Sequence, residues 1–151
     1  MTRALALDLD AVLCDTRPLW RDWVASASAV LGVSVDELPE DRAAAAATLD
    51  GLGAGNWRTL LERWSEDRAA VYFRRDARTS EALRKLGATA RIGVFTDAPE
   101  PLAQVALAHI GAARRIAAVE AGASAEERLL GRLGDGTTVI RTRHELLEAA
   151  P

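Results

Sequence analysis

Two aspartates, Asp8 and Asp10, lie two residues apart at the end of the apolar run 4–10 (ALALDLD). Residues two apart on a strand share one face, although Asp10 is also expected where the strand turns into a loop. Two carboxylates this close repel each other, and a bound cation such as Mg²⁺ is the usual remedy. A carboxylate can also attack phosphorus. The pair can therefore supply a nucleophile, an acid/base and part of a metal site; on spacing alone, ordinary polar residues closing a strand explain it equally well.

The segments around this pair indicate alternating strands and helices. Apolar runs typical of buried parallel strands occupy residues 4–10, 90–96, 115–120 and 137–142. Amphipathic stretches that predict helices occupy residues 80–86, 100–110, 125–133 and 143–149. This alternation predicts βαβ units and an α/β fold with a Rossmann-like parallel sheet of about four strands. Ligands of such sheets bind beyond the carboxyl ends of the strands, where the two aspartates are expected.

A purely helical segment interrupts the alternation between residues 15 and 75. Its sequence predicts helices over residues 18–31, 36–49 and 57–72, and all four tryptophans of the chain lie within it. We therefore expect an α/β core formed by residues 1–14 and 76–151, with residues 15–75 inserted as an all-helical cap. The tryptophans are expected to form the core of that cap.

The overall composition excludes several classes of protein. The formal net charge of −3 shows no basic bias, so nucleic acid is not an expected partner. No apolar run approaches the length of a membrane span, so no membrane association is expected. The single cysteine, Cys14, has no disulfide partner within the chain and is expected to be buried and inert, which favours a cytoplasmic location. The sequence leaves open whether the chain forms a homodimer.

Two strings resemble motifs of the haloacid dehalogenase (HAD) superfamily. Residues 7–13 (LDLDAVL) resemble its first motif, and residues 93–98 (GVFTDA) are similar to its second. The helical insert directly after the first strand resembles the superfamily's cap, so the resemblance covers essentially the whole chain. It implies a HAD-like hydrolase of the phosphatase type that acts on a small phosphorylated molecule.

The resemblance also implies roles for individual residues. Asp8 would be the nucleophile that forms an aspartyl-phosphate, and Asp10 would protonate the leaving oxygen and then activate water. Mg²⁺ would be held by the Asp8 carboxylate and the Asp10 backbone carbonyl. The hydroxyl of Thr96 and nearby backbone N–H groups, including that of Asp97, would bind the phosphoryl oxygens. An acid at position 10 favours phosphate chemistry over carbon–halogen cleavage.

The superfamily's remaining two motifs are not matched. The stretch 120–124 (EAGAS) lacks the lysine expected after the third strand, and Arg141 and Arg143 stand where an acidic metal ligand is expected after the last strand. Arg141 or Arg143 is therefore a candidate for offsetting phosphate charge. The alternative is a catalytically impaired pseudo-enzyme that keeps the fold and serves as a binding or interaction module.

The second motif also has a purely structural interpretation. Residues 96–100 (TDAPE) predict a helix start, with Asp97 as the N-cap and Glu100 completing a capping box. A helix N-terminus can bind an anion as well, so the two roles are compatible. The string 134–136 (GDG) precedes the last strand and is expected to be a turn at the opposite edge of the sheet from Asp8.

Overall fold

The computed structural model describes residues 3–151, apart from the side chain of residue 35. Four strands form one parallel sheet in the order β3-β2-β1-β4. The strands are β1 (Arg3–Asp8), β2 (Ala90–Thr96), β3 (Ala118–Ala121) and β4 (Thr138–Ile140). The predicted Rossmann-like α/β fold with four parallel strands is confirmed.

Helices account for most of the remaining chain. They are α1 (Arg17–Leu31), α2 (Arg42–Gly51), α3 (Trp57–Tyr72), α4 (Ala77–Gly87), α5 (Glu100–His109), α6 (Ala125–Leu133) and α7 (Arg143–Ala149). The predicted helix over residues 36–49 is wrong at its start, because Val35–Glu37 forms a separate 3₁₀ turn. Pro39 lacks an N–H for a helix interior, and Asp41 caps α2 by accepting a hydrogen bond from the backbone N–H of Ala44.

The end of the first strand differs from the sequence-based prediction in a way that affects the site. The strand stops at Asp8 instead of continuing to Asp10, and Leu9–Leu13 forms a single π-helical turn. The backbone N–H of Cys14 closes this turn on the carbonyl of Leu9. Asp10 therefore lies in the turn beyond the strand, where the sequence also allowed for it. Its side chain does not have to point to the same sheet face as Asp8.

The two faces of the sheet carry different helices. Leu5 and Leu7 of β1 belong to a large hydrophobic cluster with the helices of residues 15–75, whereas Ala4 and Ala6 belong to a smaller cluster with α6. Since strand residues alternate between faces, Asp8 continues the α6 face. At Gly93 of β2, an added Cβ would stand 2.6 Å from Leu129 Cδ1. Glycine there lets α6 approach the sheet closely.

The helices of residues 15–75 share the hydrophobic core of the sheet. Trp20, Trp23 and Trp57 are at most 5% exposed, and their ring centroids lie 5.3 to 6.4 Å apart. They belong to the same cluster as the inward-facing leucines of β1. The expectation that tryptophans build the core of this segment is confirmed for these three, whereas Trp64 is only partly buried and packs against their cluster. That core continues into the sheet. The division into a core and a cap stays a prediction. Within residues 3–151, every helix is too short or too polar to cross a lipid bilayer.

Candidate functional site

The strand order places a ligand-binding edge beside Asp8. The chain runs from β1 to β2 and β3 on one side and returns to β4 on the other, so the order reverses between β1 and β4. Open α/β sheets bind ligands at the carboxyl ends of the strands at such a reversal. Leu7 pairs with Ile140, so the next residues, Asp8 and Arg141, lie opposite each other where these strands end.

Asp8 has a half-buried carboxylate that lacks an ion pair within the described residues. The backbone N–H of Asp10 approaches this carboxylate without meeting hydrogen-bond geometry. Burial, followed by the negative charge of Asp10, raises the pKa of Asp8 above its usual value, although the backbone N–H of Asp10 and the charge of Arg141 partly oppose this rise. Within the described residues, the charge of the Asp8 carboxylate is thus poorly compensated by its surroundings.

Asp10 has the opposite environment, because both of its carboxylate oxygens are fully hydrogen-bonded. Oδ1 accepts from the backbone N–H of Thr16 at 2.8 Å and from the Thr16 hydroxyl. Oδ2 accepts from Arg42 Nη2 at 2.7 Å and from the Thr96 hydroxyl at 2.8 Å. An ionised carboxylate offers about four acceptor positions, and these four donors occupy them. In this arrangement the Asp10 carboxylate has no acceptor position left for a metal ion.

Arg42, the first residue of α2, connects the helical segment to the sheet edge. Its side chain is 3% exposed, and Nη2 lies 2.7 Å both from Asp10 Oδ2 and from Asp97 Oδ1. Nη1 donates to the Thr16 hydroxyl at 2.6 Å. Burial alone would lower the pKa of Arg42, but the hydrogen bond to Asp97 and the charges of both aspartates raise it above its usual value. Arg42 is therefore a fully charged, buried bridge.

Asp97 does not cap a helix, so the predicted capping box is wrong. Helix α5 begins at Glu100 with Pro99 at its N-cap position and has no side-chain cap. The Asp97 carboxylate instead accepts hydrogen bonds from the backbone N–H, Nε and Nη2 of Arg42. A buried guanidinium needs counterions. The Asp97 carboxylate therefore pairs with Arg42 and does not cap α5.

The predicted phosphate-binding residues Thr96 and Asp97 both reach the Asp10 network, but with different chemistry. The Thr96 hydroxyl is buried, donates to Asp10 and accepts from the backbone N–H of Ala98 at 3.2 Å. The Asp97 side chain carries a negative charge that would repel phosphate, so only its backbone N–H suits that role. Their binding of phosphate stays a prediction.

Arg141, the other predicted phosphate ligand, forms an ion pair across the α6 face. Its Nη2 lies 2.6 Å from Oε1 of Glu126, which is in the first turn of α6. Glu126 Oε1 is buried, and the angles of its contact with Arg141 do not meet the criteria for a hydrogen bond. The contact is therefore an ion pair, defined by its distance and by the opposite charges. Arg143 has a different role, because it donates to the carbonyls of Val12 and Leu13 and thereby supports the π turn that carries Asp10.

The residues at this edge do not fit Mg²⁺ in the observed arrangement. Within residues 3–151, no three His, Cys, Asp or Glu side chains gather closely enough to hold a metal ion. Because donors occupy the Asp10 carboxylate, the predicted ligand set is limited to the Asp8 carboxylate and the Asp10 backbone carbonyl. The positive charge of Arg141 also acts on Asp8. Mg²⁺ prefers unoccupied oxygen ligands, and this charge would oppose a divalent ion. The magnesium site stays a prediction from the sequence that the donor set does not support.

A cavity of about 780 Å³ lies between α1 and the chain that leads into α2. Trp20 and Val24 contribute apolar surface to it, and Arg21 adds an exposed charged side chain. Arg42 and Asp97 form its inner wall, whereas Asp8 and Asp10 lie outside its lining. The Arg42 bridge therefore separates this cavity from the Asp10 carboxylate.

Three residues of the site were missed from the sequence: Thr16, Arg42 and Glu126. Thr16 follows the aspartate strand closely, and its hydroxyl was the signal that could have placed it near Asp10. Arg42 follows the helix cap Asp41, but nothing separates it from the other seventeen arginines of the chain. Glu126 opens a predicted helix, where an acid is favoured by the helix dipole alone.

The thiol of Cys14 should be unreactive in the folded protein. Burial, followed by the negative charges of Asp10 and Asp15, raises its pKa from 9.0 to about 12. At pH 8 the folded chain should hold on the order of a thousandfold less thiolate than the unfolded chain, so modification by a disulfide reagent should be correspondingly slower. Stopped-flow labelling with and without denaturant measures this ratio. Equal rates in the two states would contradict the expected shielding.

Three comparisons with known proteins bear on the family of the chain. No family model, no curated protein and no solved structure matches it. The resemblance of residues 7–13 and 93–98 to HAD motifs therefore stays a prediction from the sequence.

Proposed function

We propose that the chain is a HAD-like hydrolase that removes phosphate from a small phosphorylated molecule through an aspartyl-phosphate on Asp8. The observation that carries this proposal is the state of the Asp8 carboxylate. It stands at the reversal of strand order, it is half-buried, and among residues 3–151 it has no ion pair of the kind that Asp10 and Asp97 have. An uncompensated carboxylate at a ligand-binding edge is typical of a nucleophile held ready for an electrophilic substrate.

In the proposed reaction an Asp8 oxygen attacks phosphorus and the bond from phosphorus to the leaving oxygen breaks. Asp10 gives a proton to the leaving oxygen. It then accepts one from the water that attacks the aspartyl-phosphate, which releases inorganic phosphate and regenerates Asp8. This requires Asp10 to be freed from Arg42. A phosphoryl group offers Arg42 an alternative anionic partner, and the Thr96 hydroxyl can donate to it.

A phosphatase panel tests the proposal. Wild type and Asp8→Asn are assayed with p-nitrophenyl phosphate and small phosphorylated metabolites, with and without Mg²⁺. Asp8→Asn removes the nucleophile and should lower kcat/KM by a factor on the order of a thousand or more. The matched control is Asp135→Asn, since Asp135 is exposed in the turn before β4 at the opposite sheet edge and should leave activity unchanged.

Trapping of the intermediate sharpens the same test. Wild type quenched in acid during turnover should carry a hydroxylamine-sensitive phosphoryl group that is absent from Asp8→Asn. Circular dichroism checks that both variants are folded. Full activity of folded Asp8→Asn would exclude the proposed nucleophile.

A pseudo-enzyme that binds a ligand without turnover is the second candidate function. The observation that favours it is the saturation of Asp10 by Thr16, Arg42 and Thr96, which leaves the predicted acid/base without a free oxygen. Under this hypothesis no compound of the panel is hydrolysed, while at least one of them raises the melting temperature of the protein. Thermal shift measurements on the same panel therefore separate the two candidates.

A further inference from the structure

Arg141 lies beside Asp8, at the end of the neighbouring strand. Strands β1 and β4 are parallel neighbours, and Leu7 pairs with Ile140, so the residues that follow them leave the sheet side by side. The effect of Arg141 on the pKa of Asp8 agrees with this placement, although the two side chains form no ion pair within 4.0 Å. A cation thus stands next to the uncompensated carboxylate without being neutralised by it.

Glu126 of α6 forms the ion pair that holds Arg141. Glu126 lies in the first turn of α6, where the helix dipole favours an acid, and its Oε1 is 2.6 Å from Arg141 Nη2. Helix α6 can approach the sheet this closely because residue 93 is a glycine. Glu126 therefore fixes the guanidinium from the helix side, on the sheet face that Asp8 also occupies.

Arg141 has more hydrogen-bond donors than its contact with Glu126 uses. A guanidinium has five N–H donors in a planar fork that suits phosphate oxygens. Within residues 3–151, Arg141 has one ion-pair partner, Glu126, and its side chain is 57% exposed. This exposure leaves donors accessible to a ligand at the end of strands β1 and β4, where Asp8 lies opposite Arg141.

We propose that Arg141, positioned by Glu126, is the counterion of the phosphoryl group at Asp8, and that the site binds this group without a divalent metal ion. The inference rests on the hydrolase function proposed above and names the cation that this function requires. A divalent ion at Asp8 would face the charge of Arg141, and from Asp10 it could take only the backbone carbonyl, because four hydrogen bonds occupy the Asp10 carboxylate. The guanidinium instead supplies charge and directed donors together.

Binding of inorganic phosphate, measured by titration calorimetry at fixed ionic strength, tests the role of Arg141 without any turnover. Arg141→Met should weaken the affinity about 10- to 100-fold, as expected for the loss of a charge-assisted contact. Glu126→Gln keeps the size of the side chain but frees the guanidinium, and should weaken binding by a smaller factor. Arg132→Met is the matched control: Arg132 lies on α6, pairs with Glu120 and should leave the affinity unchanged.

A charge exchange tests the metal-free character of the site. The double variant Glu126→Arg/Arg141→Glu keeps an ion pair but places a second carboxylate beside Asp8. Two adjacent carboxylates attract a divalent cation. Mn²⁺ should therefore bind the double variant, detected by electron paramagnetic resonance, whereas the wild type should bind neither Mn²⁺ nor Mg²⁺ and hydrolysis should be insensitive to EDTA.

The outcomes separate this inference from the hydrolase proposal. Unchanged phosphate affinity in Arg141→Met, no phosphate binding by the wild type, or binding of Mg²⁺ by the wild type would each overturn the inference, even with hydrolysis intact. Phosphate binding that depends on Arg141, together with no hydrolysis of any substrate, would support the anion site and overturn the hydrolase proposal alone. Circular dichroism confirms the fold of each variant, and the single variants keep the test decisive if the double variant does not fold.

Discussion

Replacement of Arg42 by alanine should lower the free energy of unfolding by about 3–5 kcal/mol, since it removes one partner of a buried ion-pair network. The Arg42 side chain is 3% exposed and contacts Asp10, Asp97 and Thr16. Its loss leaves the Asp10 carboxylate buried without a cation. Urea unfolding of the variant, followed by circular dichroism, measures the loss.

Matched variants identify the source of that loss. Arg17→Ala removes an arginine from an exposed pair with Asp15 and should cost less than about 1 kcal/mol. In an Arg42→Met background, Asp10→Asn should be stabilising or neutral, because it removes the uncompensated charge. Additive effects of these two substitutions would show that Arg42 contributes by packing alone.

The pH dependence of the Arg42→Ala effect follows from Asp97. Burial alone would raise the pKa of Asp97, but the hydrogen bonds and charge of Arg42 outweigh it and hold the pKa below the ordinary value of 3.8. A lowered pKa in the folded state means that the stabilisation is present above pH 3.8 and is lost as the pH falls through the folded value. The difference between wild type and Arg42→Ala should therefore be largest near neutral pH and narrow below about pH 4.

Replacement of Trp23 by alanine should cost about 3–5 kcal/mol, because it leaves a large cavity in the continuous core. Trp23 is 1% exposed and packs between Trp20 and Trp57. The corresponding fall in melting temperature is roughly 6–20 °C for a chain of this size. Trp64→Ala is the control, since Trp64 is only partly buried and should cost less.

The same measurements show whether the helical segment unfolds with the sheet. All four tryptophans lie in residues 15–75, so their fluorescence follows that segment, whereas far-UV circular dichroism follows the whole chain. Because one hydrophobic cluster includes both parts, the two transitions should coincide. Fluorescence that changes at lower temperature than circular dichroism would show that the segment melts independently.

The fold was largely predictable because its elements carry strong local signals. Strand β2 and helices α3 and α6 match their predicted residue ranges, since a buried parallel strand is continuously apolar and these helices have clear apolar stripes. The π turn of Leu9–Leu13 was not predictable, since its residues continue the apolar pattern of the strand. The end of β1 was overestimated for the same reason, whereas β4 stops at Ile140, before the polar residues Arg141 and Thr142.

The site was predictable only where it depends on strand ends. Asp10 and Thr96 do meet, as expected for residues at neighbouring carboxyl ends, and their side-chain oxygens are 2.8 Å apart. The partners that decide the electrostatics come from helices. Arg42 is 32 residues from Asp10 in the chain, and Glu126 meets Arg141 only because α6 docks on the sheet. Such pairings depend on tertiary approach, which no local pattern encodes.

The hydrogen bonds of Asp97 to both the backbone and the side chain of Arg42 affect which ligands can enter the site. The Asp97 carboxylate accepts hydrogen bonds from the backbone N–H of Arg42, the first residue of α2, and from its guanidinium. The position of the guanidinium is therefore coupled to the position of the helix start. If α2 moved away from the sheet, Asp10 and Asp97 would both lose their cation, Arg42. A neutral ligand could not compensate for the loss of these two ion pairs. An anionic ligand can replace the lost counterions of the guanidinium. Binding at this site is therefore expected to select ligands by charge before any reaction takes place.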